Sequence, residues 1–237
     1  MGLEKILDLF PQEGKKNVEM LQAWKSRHSV LHGLMWFGLK VVYGARGEGP
    51  RELKGPAVIV FDKHGSSIDA VMPTYFKSYI AMIARQDRTL FSWVAHYGGG
   101  PTFNETEGPR PSFMKRIVVH LGNGSVIGLF PYSDVHNGTL SYGVLDHLLK
   151  WEGKHNEQID FRAAAIVWRQ TIKDSPARVW PSYWPPFFCF SSAILVSDEP
   201  IWSSCLPSGQ RNSQGLLTAS QRESARLRQE YLQRQQK

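Results

Sequence analysis

His64 and Asp69 stand with four residues between them in His64-Gly65-Ser66-Ser67-Ile68-Asp69. On a tight Gly-Ser turn an imidazole and a carboxylate at that separation can meet. The carboxylate then fixes one ring nitrogen as the N–H and leaves the other free to take a proton. With an ordinary pKa of about 6.5, such a ring can deprotonate an alcohol near neutral pH. The chemistry on offer is general-base activation of a hydroxyl; the bland alternative is a turn histidine bonded to local backbone. The same spacing recurs at His155 and Asp160. That copy follows a polar segment and precedes an apolar run instead of ending one, so it reads as accidental. No Gly-x-Ser-x-Gly elbow occurs in the chain, so a serine acyl-enzyme is not indicated. Ser66 and Ser67 read as caps of a following helix. Gly122-Asn123-Gly124 with Gly128 has the wrong spacing for a dinucleotide loop and reads as the turn before a strand.

The elements that must carry the pair follow from the apolar pattern. Ala57 to Phe61 is a continuous apolar run introduced by Gly55-Pro56, which suits a central strand covered on both faces. His64 and Asp69 therefore follow directly on a strand end, where an α/β protein aims side chains into a crevice. Asp69 to Ile83 is expected as a helix followed by a short strand, and Leu90 to Tyr97 as another helical turn or two. Ser112 to Leu121 is expected helical, Val126 to Phe130 a second apolar strand, Val144 to Trp151 a helix and Ala163 to Trp168 a third strand. Ser192 to Val196 suits one more strand, and Gly215 to Lys237 a polar helix with Arg222, Arg226, Arg228 and Arg234 against Glu223 and Glu230. The expected fold class is α/β, with a mixed, largely parallel central sheet flanked by helices and an N-terminal amphipathic helical segment.

Asn17 to Tyr43 carries apolar residues at helical spacing, with Lys25, Arg27 and Lys40 between them. It suits either a helix packed on the core or one lying in a membrane interface, where Trp24, Trp36 and Phe37 would sit beside cations. The three expected parts are 1–45, a helical and membrane-interfacial segment; 46–206, the catalytic domain; and 207–237, a basic C-terminal helix. Trp180 to Phe190, rich in proline and aromatics, reads as a loop over the domain or as an interfacial patch.

With 237 residues, 42% hydrophobic, the chain can bury a sizeable core and is not of disordered composition. Cys189 and Cys205 make neither a disulfide framework nor a metal-ligand pattern, and no metal is expected. A formal charge of +7 favours an anionic partner, and composition alone does not choose among a phospholipid surface, a nucleotide-bearing cofactor, an acidic carrier protein and nucleic acid. Nucleic acid is not expected, because no recognition motif accompanies the charge. No apolar stretch near the N-terminus reaches a bilayer span, so the expected location is cytoplasmic and peripherally membrane-associated.

The order of the blocks resembles the glycerophospholipid acyltransferases of the 1-acylglycerol-3-phosphate type, from about Trp36 to Ile201. Phe61-Asp62-Lys63-His64 through Asp69 resembles the first block of that family. Tyr97-Gly98-Gly99-Gly100-Pro101-Thr102-Phe103 resembles the second, and Gly128-Leu129-Phe130-Pro131-Tyr132-Ser133-Asp134 the third. Ala163 to Trp168 resembles the fourth, and Asp198-Glu199-Pro200-Ile201 the closing segment. The chain departs from the pattern where Lys63 stands for asparagine. In the third block Tyr132, Ser133, Asp134 and Val135 stand for glutamate, glycine, threonine and arginine.

The resemblance implies an acyltransferase in which His64 deprotonates an acceptor hydroxyl attacking a thioester and Asp69 stabilises the imidazolium. Substrate contacts are then expected at Lys63, Gly99, Gly100, Arg110, Tyr132, Ser133 and Asp134. Backbone N–H groups near Gly98 to Gly100 or Tyr132 to Asp134 would hold the oxyanion. Arg110, Lys115 or Arg116 stands either as a replacement for the missing cation or as a partner in a surface salt pair. The co-substrate is acyl-CoA or an acyl-carrier-protein thioester with no bound cofactor, and the acceptor is a lipid or lipid-like alcohol. A phosphate-free acceptor explains the altered third block. The alternative is a relative that keeps the fold and acts as a lipid-binding module.

Overall fold

The computed structural model describes residues 32–41, 44–53, 55–62, 72–77, 80–85, 102–103, 111–130, 139–168 and 192–235. Helix α1 covers 32–41. Strands β1 (Arg46–Glu48), β2 (Ala57–Phe61), β3 (Ile80–Met82), β4 (Ala84–Arg85) and β5 (Thr102–Phe103) precede helix α2 (Pro111–Gly122). Then come β6 (Val126–Leu129), α3 (Thr139–His155), β7 (Asp160–Trp168), β8 (Ser192–Val196) and α4 (Ser213–Gln235).

Six strands form one sheet in the order β1-β8-β7-β2-β6-β3, and β4 pairs with β5 apart from it. All neighbours in the large sheet are parallel except β7 and β8. This is the mixed, largely parallel sheet expected from the sequence. Its central strand, β2, is buried at every position, which is why its sequence is an unbroken apolar run.

Successive residues of β2 face opposite layers, as the two-residue period of a strand requires. Ala57, Ile59 and Phe61 join Trp36 and Leu39 of α1, together with Met72, Tyr75 and Phe76, in one apolar layer. Val58 and Val60 join Phe113, Ile117 and Leu121 of α2, Val144, Leu145 and Leu148 of α3, and Leu216 and Leu217 of α4. The two layers have different crossovers. The chain between β2 and β3 passes over the α1 side, while α2 and α3 carry the chain back over the other. That is the arrangement right-handed crossovers impose when the direction of travel across the sheet reverses.

Helix α4 is part of this core. Asn212 caps it, its Oδ1 accepting the Gly215 N–H at 2.8 Å. Its inward face runs through Leu217, Ser220, Ser224 and Tyr231, all buried. The small Ser224 hydroxyl donates to the Ala164 carbonyl of β7 at 3.3 Å, so the helix lies close against alanine-rich strand.

Several elements differ from the sequence expectation. Where a helix was expected from Asp69, the described part is a 3₁₀ turn, Met72–Tyr75. Pro73 in that segment has no N–H to give to a longer helix. Helix α3 begins five residues earlier than expected, at Thr139, and β7 three earlier, at Asp160. The segment expected as a helix at Leu90 to Tyr97 and the aromatic stretch Trp180 to Phe190 lie outside the described residues.

Candidate active site

Strand β2 ends through a side chain. Its parallel ladder with β7 runs to Phe61 opposite Ala164. The Asp62 N–H still donates to the Ala164 carbonyl, at 2.9 Å. The next donor of β7, the Ile166 N–H, goes to the Asp62 carboxylate Oδ1 at 3.3 Å. The carboxylate has taken over the ladder, and the chain is released from the sheet there. Arg228 of α4 donates through Nη2 to the other carboxylate oxygen, and the same nitrogen reaches the Ile166 carbonyl at 3.3 Å. Asp62, Arg228 and Ile166 thus form a closed knot joining β2, β7 and α4.

On the other side of β2, strand β6 runs parallel to it with Val60 opposite Leu129. The next residues of the two strands stack: the Phe61 and Phe130 rings are 4.4 Å apart at their centroids and 19° apart in plane. Residue 63 and residue 131 therefore follow from adjoining strand ends. The chain leaving β2 crosses to β3 over one face, and the chain leaving β6 crosses to β7 over the other. Adjacent strands departing in opposite directions open a crevice at their carboxyl ends, the usual place for a ligand in an open α/β sheet.

The expected catalytic pair His64 and Asp69 lies outside the described residues, and so do Lys63, Gly99, Gly100, Arg110, Tyr132, Ser133 and Asp134. What the described residues supply is the framework from which three of these segments issue. Lys63 follows Asp62, Tyr132 lies two positions beyond Phe130, and Arg110 immediately precedes α2. Among the described residues no group of three metal-ligating side chains converges.

The second copy of the spacing has structural partners. His155 donates its Nδ1–H to the Trp151 carbonyl at 2.9 Å and stacks on the Trp151 ring. Asp160 instead takes the Arg162 guanidinium, with Nε to Oδ1 at 2.9 Å. Each side chain is engaged with its own strand or helix. The reading of this copy as accidental agrees with that geometry.

Three of the four arginines of α4 are also engaged. Arg226 pairs with Glu223 and Glu230, Arg228 with Asp62, and Arg234 with Glu48 of β1. Glu223 and Glu230 draw the Arg226 guanidinium further toward its charged form.

Asp62 and Arg228 were not singled out from the sequence as site neighbours. A signal exists at each. Asp62 is the first polar residue after the apolar run, and Arg228 falls on the same helical face as the small residues Ser220 and Ser224.

Along 95% of its length the chain is similar to the crystal structure of the 1-acyl-sn-glycerophosphate acyltransferase PlsC from Thermotoga maritima, again over 95% of that chain. The TM-score is 0.50 and the sequence identity 16%, so the likeness is one of fold. No family model matches the sequence, and no curated protein matches it.

Proposed function

We propose that this chain is an acyltransferase that moves an acyl group from a thioester, acyl-CoA or acyl carrier protein, to the hydroxyl of a lipid or lipid-like acceptor. In this reading the acceptor oxygen attacks the thioester carbonyl while His64 removes its proton. Asp69 stabilises the imidazolium, backbone N–H groups near Gly99 and Gly100 or Tyr132 to Asp134 hold the oxyanion, and the imidazolium proton leaves with the thiolate. The products are an ester and a free thiol, with no covalent enzyme intermediate and no resident cofactor or metal. Lys63 and Arg110 are the cations available to an anionic donor or acceptor.

The observation that carries the reading is the stacked pair Phe61 and Phe130. It holds the ends of β2 and β6 side by side, and in the sequence His64 follows the one and Tyr132 the other. Support of a different kind comes from the order of the sequence blocks and from the likeness in fold to an enzyme that acylates 1-acyl-sn-glycerophosphate. Among the described residues no helix is long and apolar enough to cross a membrane. In the proposed reading the protein reaches its lipid substrates from the membrane surface, on the cytoplasmic side.

Product mass spectrometry tests the reading. The protein is incubated with a thioester donor and a panel of acceptors, with and without a phosphate. Transfer is expected to one class, and His64→Ala should lower it about 10²- to 10⁴-fold with the fold retained. If no acceptor gains an acyl group and the thioester is never consumed, the reading fails.

A second reading, a lipid-binding module without catalysis, is favoured by one observation. Leu34, Phe37 and Val41 of α1 are exposed to 67%, 66% and 65% while Trp36 and Leu39 on its other side are buried. An outward apolar stripe on a docked helix suits the acyl–headgroup boundary. Vesicle binding that His64→Ala leaves intact, with no acyl transfer by the unaltered chain, would select this reading.

A further inference from the structure

We infer that Arg228 is a positioning residue: through Asp62 it fixes the point at which the chain, on its way to His64, leaves the sheet. The inference rests on the proposed acyl transfer for its kinetic consequence, but its structural half stands apart from it. Asp62 lies two residues before His64 in the chain. Its side chain is 11% exposed and that of Arg228 29%. A carboxylate so little exposed needs partners, and the Arg228 guanidinium supplies one.

The geometry gives the pair a task beyond neutralising charge. A parallel strand ends wherever its backbone stops supplying acceptors to its neighbour. Here the Asp62 carboxylate, not the next backbone carbonyl, receives the Ile166 N–H. Arg228 holds both ends of that junction, contacting the Asp62 carboxylate and the Ile166 carbonyl with one nitrogen. With the guanidinium gone, the carboxylate loses the charge that draws it against Ile166, and its hold on that N–H weakens. The ladder then has no fixed last rung, and the exit of the chain toward His64 is free to shift. A general base displaced by about 1 Å loses on the order of 10²-fold in rate.

The test compares the full-length chain with Arg228→Ala, Arg228→Lys, Asp62→Asn and the double variant Arg228→Ala/Asp62→Asn. Arg226→Ala on the same helix serves as a control of equal charge change. Hydrogen exchange is read by mass spectrometry without any substrate, and turnover is read with acyl-CoA as donor. Arg228→Ala should speed exchange in the peptide covering 62–70 at least tenfold while peptides from α2 and α3 stay within twofold. Its kcat should fall about 10²-fold with the acyl-CoA KM unchanged. Arg228→Lys should recover part of both, the double variant should be no worse than Arg228→Ala, and Arg226→Ala should change neither. Unchanged exchange at 62–70, or equal acceleration throughout the chain, overturns the inference. Should Arg228→Ala not fold, Asp62→Asn must show the same local acceleration, and its failure to do so overturns the inference equally. An unaltered protein that transfers no acyl group sinks the proposed function, while the exchange measurement still decides the positioning role.

Discussion

Phe130 lies nearly flat against Phe61, each being the residue that follows the last paired rung between β6 and β2. The contact is apolar and buried, yet it sits at the carboxyl ends of β2 and β6, next in sequence to the candidate site. Its loss should therefore be felt both in stability and at the site.

Phe130→Ala should cost about 3 kcal/mol of stability, the low end for a phenylalanine truncation because Phe130 closes the core at its rim. Phe130→Leu should recover most of it. Urea unfolding midpoints measure both, and a loss under about 1 kcal/mol for the alanine variant would mean that the ring is not a core contact.

The backbone of Gly55 passes so close to that of Gly124 that a Cβ on Gly55 would come within 2.1 Å of the Gly124 carbonyl oxygen. Backbone cannot move aside cheaply, so Gly55→Ala should destabilise by about 1–3 kcal/mol. A Cβ on Gly128 meets the thioether end of Met82, at 2.2 Å from its sulfur. Met82 can swing, and Gly128→Ala should be the milder of the two. Thermal melts of the pair settle the order; the reverse order contradicts this account of the two sites.

Much of this architecture was readable in advance, and the reason is burial. Strands β2 and β8 end where their apolar runs end, Ala57 to Phe61 and Ser192 to Val196, because both faces of each are covered. Strand β1 was not foreseen. Its sequence, Arg46-Gly47-Glu48, carries no apolar signal, and what makes it a strand is pairing with β8 at the sheet edge. The site divides in the same way. A histidine and a carboxylate five positions apart are visible locally, whereas the Arg228–Asp62 contact joins residues separated by 166 positions, and the local signal at each does not name the other as its partner.

The outward stripe of α1 should bind anionic vesicles, with Lys40 beside it. Phe37→Ser should weaken vesicle partitioning about tenfold, as expected for losing one large apolar side chain from the interface. It should leave the melting temperature nearly unchanged, because Phe37 touches the core little. Liposome flotation reads the first effect and calorimetry the second. Equal flotation of the variant and the unaltered chain would remove α1 from the membrane contact.

Acid should loosen the junction between α1 and the domain. Burial pushes the His32 imidazole below its ordinary value, against a hydrogen bond with the Phe76 backbone that raises it, while the Arg51 charge lowers it further. His147 is lowered as well, by burial first and then by Lys150. A histidine with a depressed pKa is held neutral by the folded state. Its stabilisation is complete above the ordinary pKa of about 6.5 and is lost as pH falls through the lower folded value. The melting temperature should thus fall from about pH 7 to about pH 5, and His32→Gln should flatten that slope in part, leaving the share of His147. Identical slopes for both proteins would show that His32 is not a source of it.

Among the described strands β1 has one neighbour, β8, and the register joins Arg46 to Ala193 across roughly 150 positions. The outermost rung of the sheet therefore cannot form until nearly all of the domain has been collapsed around the others. Refolding should be slow for a chain of this size, with β1 the last to zip and a spell in which the bare edge of β8 invites pairing with a second molecule. Dilute conditions and a chaperone that shields strand edges are what this topology asks of any attempt to recover the protein from denaturant.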